Sequence, residues 1–215
     1  MTGKADTRLR RLPEQGSKDF DLACSIIDSA RLCHVGFVLD GQPYVVPMAL
    51  ARDGDRILLH GSVASRLMKT LAAGLPCCVT VTHLDGLVLA RSSFHSSMNY
   101  RSVMIFGSAA EVSDPEQKVR GLEVLTEQLL PGRLAELRAS TRKELNATML
   151  LSLPIQQFSV KTRSGPPDDP SNETQVPVWA GVVPLAVRAG EPEAAPDMPD
   201  GISLPPYLAA PGWGE

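Results

Sequence analysis

Apolar residues recur at helical spacing from Ser17 or Asp19 onward. Phe20, Ala23, Ile27 and Ala30, joined by Leu22 and Ile26, form one stripe that ends near Arg31, and Asp19 and Asp21 suit its first turn. The period then shortens to two. Leu32 to Leu39 is apolar and partly β-branched, Asp40-Gly41 is a strong hairpin signal, and Tyr44-Val45-Val46 resumes a strand that meets Pro47. Proline donates no ladder hydrogen bond, so a strand running on through Met48-Ala49-Leu50 lies at a sheet edge or carries a bulge. After the turn Arg52-Asp53-Gly54-Asp55, Arg56 to His60 reads as a strand entering the core. Ala64, Leu67 and Leu71 follow at helical spacing, with Ser62 as the predicted N-cap. Cys77 to Thr82 alternates as a strand, Asp85-Gly86 predicts a second hairpin turn, and Leu87 to Ala90 returns. A polar run, Arg91 to Ser102, leads into the apolar Val103 to Gly107.

The second half changes character. Ser113-Asp114-Pro115-Glu116 combines a capping box with proline in the first turn, and Val119, Leu122, Leu125 and Leu129 make the stripe of a helix that stops before Pro131-Gly132. Thr141-Arg142-Lys143-Glu144 is a second capping box, opening a short helix before a last strand, Met149 to Leu153, with room to continue to Lys161. Successive strand candidates joined mainly by tight turns predict a mainly β protein with flanking helices, an α+β class in which an antiparallel sheet closes as a barrel. Residues 1–16 read as a flexible N-terminal arm and 17–165 as the barrel domain. Residues 166–189 read as an extended segment with an apolar island from Val176 to Val183, and 190–215 as a Pro-rich tail, flexible or packed on a partner.

With 215 residues, 43% of them hydrophobic, the chain can bury one good core with appendages. A net charge of -3 gives no electrostatic case for nucleic acid, and the basic cluster Lys4, Arg8, Arg10 and Arg11 is short and lacks interleaved aromatics. No apolar run approaches the roughly 18 residues of a membrane span, and the N-terminus lacks the order of a signal peptide, which predicts a cytoplasmic protein. Cys24, Cys33, Cys77 and Cys78 fit no metal-ligand spacing and read as free thiols.

Chemistry concentrates where the strand ending at His60-Gly61-Ser62 hands over to a helix. Such a joint leaves backbone N–H groups unpaired at the positive end of the helix dipole, and Arg66 and Lys69, three apart, share one helix face. The same residues also suit an ordinary capped helix with a solvated basic face. No serine sits in a Gly-x-Ser-x-Gly elbow, the four histidines fit no familiar ligand spacing, and neither glycine motif of the Rossmann or Walker kind is present. A flavin mononucleotide would use the parts that remain. Its phosphate needs a helix start and a basic pair, and its ring needs backbone donors and acceptors, which the strand interrupted at Pro47 offers.

The chain resembles the flavin-binding split barrels related to pyridoxamine phosphate oxidase, and in particular the nitroimidazole-resistance (Nim) reductase branch. The resemblance rests on Tyr44-Val45-Val46-Pro47-Met48, on Leu58-Leu59-His60-Gly61-Ser62 with Ser65-Arg66-Leu67-Met68-Lys69, and on Asn99-Tyr100-Arg101-Ser102-Val103-Met104-Ile105-Phe106-Gly107. Lys143-Glu144-Leu145 and Leu151 to Ile155 extend it, so that it covers about residues 17 to 165. It implies a six-stranded antiparallel split barrel and a homodimer with FMN in the grooves between subunits. Carried over by position, Ser62, Ser65, Arg66 and Lys69 hold phosphate, Val46, Pro47 and Met48 meet the ring through backbone, and His60 and Gly61 with Asn99, Tyr100, Arg101 and Ser102 line the site. His60 aligns with the histidine that Nim reductases set beside their ligand, against the plainer role of a strand-end residue. The function implied is an oxidoreductase that reduces a small acceptor such as a nitroaromatic, with NADH or NADPH as donor and His60 as proton donor. Pyridoxamine phosphate oxidase activity itself is not expected, because the Pro-rich region after Gly165 has no counterpart of the Arg and His substrate segment. The alternative is a flavin or haem binding module on the same barrel, without turnover.

Overall fold

The computed structural model describes residues 6–209. A two-residue strand, β1 (Gly16–Ser17), precedes α1 (Phe20–Asp28), which is capped by Asp19: its carboxylate accepts from the backbone N–H groups of Asp21 and Leu22. Ala23, Ile26 and Ile27 bury the predicted stripe, while Phe20 stays at its rim. β2 (Cys33–Leu39) and β3 (Gln42–Met48) form the predicted hairpin. Asp40 and Gly41 both have positive φ, 52° and 78°, as the favoured two-residue hairpin turn requires.

The chain then turns inward at the buried Leu50 and Ala51 and starts a second sheet with β4 (Ala51–Asp53) and β5 (Arg56–Ser62). The helix α2 (Arg66–Ala72) leads to β6 (Pro76–Leu89), β7 (Ser97–Ser108) and β8 (Ala110–Glu111). After α3 (Pro115–Leu129) and α4 (Arg142–Ala147) come β9 (Thr148–Pro154) and β10 (Gln157–Arg163), then β11 (Gly181–Pro184) and α5 (Pro206–Ala209). Asp114 caps α3, and Thr141 with Glu144 forms the predicted capping box of α4.

The first sheet runs β1-β10-β7-β6-β2-β3 and the second β4-β5-β9-β8. β3 is the last strand of its path, so Pro47 lies at an edge, as its missing donor requires. The mainly β class with flanking helices holds. The six-stranded barrel does not: the described residues contain eleven strands in two open sheets. The excess comes from four short strands, from two to four residues long, and from the last predicted strand, which breaks at Ile155-Gln156 into β9 and β10.

The expected hairpin turn at Asp85-Gly86 is also overturned, because β6 runs straight through it for 14 residues. Gly86 serves close approach instead. A Cβ there would lie 3.0 Å from the Val183 carbonyl oxygen and 3.1 Å from Val182 Cγ1.

The chain partitions into two compact units: a body reaching to His83 and resuming from Asn99 to Ser164, and a second unit of Leu84–Met98 with the chain from Gly165 onward. In the body, Ile26, Ile27, Ile57, Leu59, Met68, Leu71, Ile105 and Leu151 share one core. Leu58, next to Leu59 but facing the other way, joins Leu125 of α3 and Leu150 in a smaller one. α3 seats closely there because Gly121 leaves room for Leu150, whose Cδ2 would be 2.5 Å from a Cβ. Both faces of β5 are therefore covered, which makes its far end a rigid mount. In the second unit, β11 pairs antiparallel with the 86–89 end of β6, and the Arg91 guanidinium and backbone N–H both reach the Asp169 carboxylate, at 2.7 and 2.9 Å.

Candidate functional site

The joint between β5 and α2 is built by two serines with separate tasks. Ser62 Oγ accepts from the Ala64 N–H at 3.1 Å, and the Ser62 carbonyl accepts from the Ser65 N–H at 2.9 Å. Ser65 Oγ then accepts from the Met68 N–H. Ser65, not the predicted Ser62, is thus the N-cap, because the chain needs a tight turn before it can enter the helix. Gly61 is explained by packing: the Met68 side chain fills the space of a Cβ, with Cγ 2.8 Å from that position.

Leu67, Met68, Thr70 and Leu71 are buried, which leaves Arg66 and Lys69 on the exposed side. The Arg66 guanidinium lies over the Tyr44 ring at 4.8 Å, and Tyr44 stacks on Phe37 with centroids 5.3 Å apart. This stack holds Arg66 against the edge strand β3, where Val46 and Met48 face the core and Pro47 faces outward. Tyr44 as the partner of Arg66 was not visible in the sequence, since the two lie 22 positions apart on β3 and α2 and meet only in the fold.

His60 lies on the Leu58 face of β5, two residues nearer the strand end, where it is exposed and in register with Leu150. The atoms crowding its ring desolvate it and pull its pKa below the ordinary imidazole value, so the neutral form prevails at pH 7.

The third predicted group lies on β7. Asn99 is buried, and its Oδ1 accepts from Arg163 Nη1 of β10 at 2.6 Å. Ser102 Oγ donates to the Val81 carbonyl at 3.1 Å and sits 3.1 Å from Thr82 Oγ1. Tyr100 and Arg101 are half-buried between them. Arg163 had no signal in the local pattern, because its tie to Asn99 spans 64 positions. β6 and β2 separate β7 from β3. The structure therefore brings the joint and the edge strand together and keeps the β7 group three strand spacings away, or ~14 Å.

The remaining histidines differ in kind. His83 Nε2 lies 3.0 Å from the Ile26 carbonyl oxygen and 3.1 Å from Ser29 Oγ, a packed role at the end of α1. His34 is exposed on β2 beside Pro47, and His95 sits edge-on to Phe94 in the second unit. All four cysteines are free, and burial pushes the Cys33 thiol up to about 12 and Cys77 to about 11, which makes both inert as nucleophiles. Among the described residues no group of three or more His, Cys, Asp or Glu could hold a metal ion, and no helix is long and apolar enough to cross a membrane.

The family model described as pyridoxamine 5'-phosphate oxidase matches residues 20–162. The chain belongs to the pyridoxamine 5'-phosphate oxidase family. No curated protein matches it. Among solved structures, this family member is similar to the FAD and heme binding protein from Mycobacterium smegmatis, with 43% identity over 91% of this chain and 96% of that one, at a TM-score of 0.87. It is similar also to the flavocytochrome Anf3 from Azotobacter vinelandii, with 37% identity, 95% and 96% coverage and a TM-score of 0.89. A candidate 5-nitroimidazole antibiotic resistance protein from Bacteroides thetaiotaomicron matches at 24% identity over 68% of this chain and 85% of that one, with a TM-score of 0.58. That last likeness is one of fold, so the resemblance to the Nim branch stands at the level of the family.

Proposed function

We propose that this protein binds a flavin and a haem and moves electrons between them, in the manner its likeness to a FAD and heme binding protein and a flavocytochrome suggests. One observation carries the reading: identity of 43% and 37% extends over 91% and 95% of the chain, well past residue 162 where the family model ends. On this reading the flavin is FAD in place of the expected FMN, the protein is a homodimer, and the flavin binds where two copies meet. The ~14 Å between β3 and the β7 group suits a ligand lying along the sheet, or a site to which both copies contribute.

The residues fit the two groups. Arg66 is held in place by Tyr44, and with Lys69 it presents two positive charges to a phosphate at the start of α2. The edge strand β3 offers backbone polar groups on its open side to a flavin ring. His60 would hold the haem through its neutral imidazole, since desolvation lowers its pKa and it stands on a rigid strand end, whereas His83 is occupied by α1. When bound, the pair would supply one-electron and two-electron redox chemistry; the chain binds, orients and tunes.

A reductase of the Nim type, with NADH or NADPH as donor and His60 giving a proton to a nitro group, is the weaker reading. A histidine whose pKa is lowered carries little proton at neutral pH, which suits a ligand better than an acid. The test is to produce the protein with riboflavin and a haem precursor supplied, record its absorbance, and identify the released flavin by chromatography. Flavin bands together with a Soret band are expected, and His60→Ala should lose the Soret band while keeping the flavin. A protein that takes up flavin and no haem would sink the flavocytochrome reading, and one that takes up neither would sink both.

A further inference from the structure

The second unit carries an apolar face that its own residues leave bare. Side chains on paired strands share a face with their cross-strand neighbours, and Leu87 lies opposite Val183 while Leu89 lies opposite Gly181. Trp179 folds over Gly181, its indole carbon 2.9 Å from where a Cβ would be, and Leu185 continues the row beyond Pro184. Along this one face Trp179 is 65% exposed, Leu87 42% and Val183 40%. The other face of the ribbon is different: Val88 is fully buried. Among the described residues β11 has β6 as its one strand partner, so its far edge is open as well. A bare edge beside a contiguous apolar row is a surface that natural sheets protect or use.

Charge says what covers it. From Gly165 to the C-terminus the sequence carries eight carboxylates, Asp168, Asp169, Glu173, Glu191, Glu193, Asp197, Asp200 and Glu215, against the lone basic Arg188. The preceding 164 residues hold 20 of the 21 Lys and Arg and 16 of the 24 Asp and Glu, so they are net positive. Opposite charges on one chain suit a two-fold assembly, since each copy can then offer its acidic segment to the basic body of the other. Anionic lipid is disfavoured by the same carboxylates.

We propose that the C-terminal segment docks on a second copy of this chain, the Trp179, Leu87, Leu89, Val183 and Leu185 face supplying the apolar contact and the acidic stretch from Glu191 to Asp200 the complementary charge. The inference rests on the proposed homodimer, and it specifies which surface is exchanged. Burying the row removes apolar area from water, and the carboxylates fix register on the basic body.

The test couples carboxylates to amines with a zero-length reagent, resolves covalent dimers on a denaturing gel, and maps the joined peptides, with sedimentation run in parallel. The expected result is a dimer in solution whose covalent form joins Glu191, Glu193, Asp197 or Asp200 to lysines of residues 6–164. Replacing those four by their amides should cut that yield at least tenfold. So should Trp179→Glu with Val183→Asp, which leaves the four carboxylates in place, and circular dichroism should be unchanged in both variants. A chain that sediments as a monomer would overturn the homodimer reading and this inference with it. A dimer whose cross-linked yield is indifferent to Trp179→Glu with Val183→Asp, or whose tail-to-lysine links occur only in the monomer band, would overturn this inference and leave the homodimer standing. Flotation of the chain with phosphatidylcholine vesicles would overturn it in favour of a membrane surface.

Discussion

The strand β6 belongs to both units, and its two halves behave differently. In the body, Cys77, Val79 and Val81 point into a core closed by α1, α2 and the second sheet, and the residues between them face outward. Beyond His83 the phase slips by one: Leu84 is exposed, then Gly86 and Val88 are buried while Leu87 and Leu89 are exposed. The first half reads polar-out because one face meets core and the other meets water. The second reads apolar on both faces, which is the pattern of a strand covered on both sides. The contrast teaches that alternation reports how many faces are meant to be covered, and it does so whether or not the covering partner is part of the same chain.

The sharpest test of this difference is a pair of truncations. Leu151→Ala removes a fully buried side chain from the body's core and should cost about 2–5 kcal/mol, read as a drop in denaturation midpoint at constant m-value. Leu87→Ala in the ribbon should cost less than about 1 kcal/mol in the dilute chain, because its side chain keeps much of its contact with water. Equal losses would mean that the two halves are not distinct.

A second test separates binding from stability within the body. Arg66→Ala with Lys69→Ala removes two charge-assisted contacts of ~1.5–3 kcal/mol each if they hold a phosphate, so flavin affinity measured by fluorescence titration should fall at least a hundredfold. The melting temperature of the flavin-free chain should barely move, since Lys69 is exposed and the Arg66–Tyr44 contact is worth ~0.5–1 kcal/mol. Unchanged affinity would place the phosphate elsewhere.

The smallest expected effect is confined to the second unit. The Arg91 backbone N–H bonded to Asp169, followed by the Arg91 guanidinium, holds that carboxyl below its ordinary value. A depressed carboxyl contributes fully above the unfolded value of about 3.9 and loses its contribution as pH falls through the folded value. Acidification through that window should therefore loosen the 91–96 loop, seen as a fall in amide protection at Arg91 relative to the intrinsic exchange rate at the same pH, with the body's core unaffected. Asp169→Asn should show that low protection at every pH. An Arg91 amide that exchanges equally in both proteins would remove the clamp from the account.

Much of the body was legible in advance because its cues are local. Asp19 before an apolar stripe, Asp40-Gly41 between alternating runs, and Thr141 three residues before Glu144 each satisfy backbone groups within a few positions, so reading them needs no knowledge of the rest of the chain. The errors share a cause. Asp85-Gly86 looks like a turn, but Gly86 is small because the Val183 carbonyl crowds it from 97 positions away. Ser62 looks like a cap, but the turn it makes shifts the cap to Ser65. Among the candidate site residues, Arg66, Lys69 and His60 were found because positive charge and imidazole near a strand-to-helix joint are informative alone. Tyr44 and Arg163 were not, because a ring or a guanidinium acquires its role from the neighbour that folding brings to it.

The sequence alone determined the starts of α1 and α4, the hairpin of β2 and β3, and that a basic pair sits at the start of the second helix, since each follows from periodicity and capping within a dozen residues. Tertiary structure alone decided that the strands form two open sheets, that Arg66 is pinned over Tyr44, and that Asn99 is bound to Arg163. Those outcomes depend on contacts between distant segments, and strand order is set by which apolar faces meet when the whole chain buries its core.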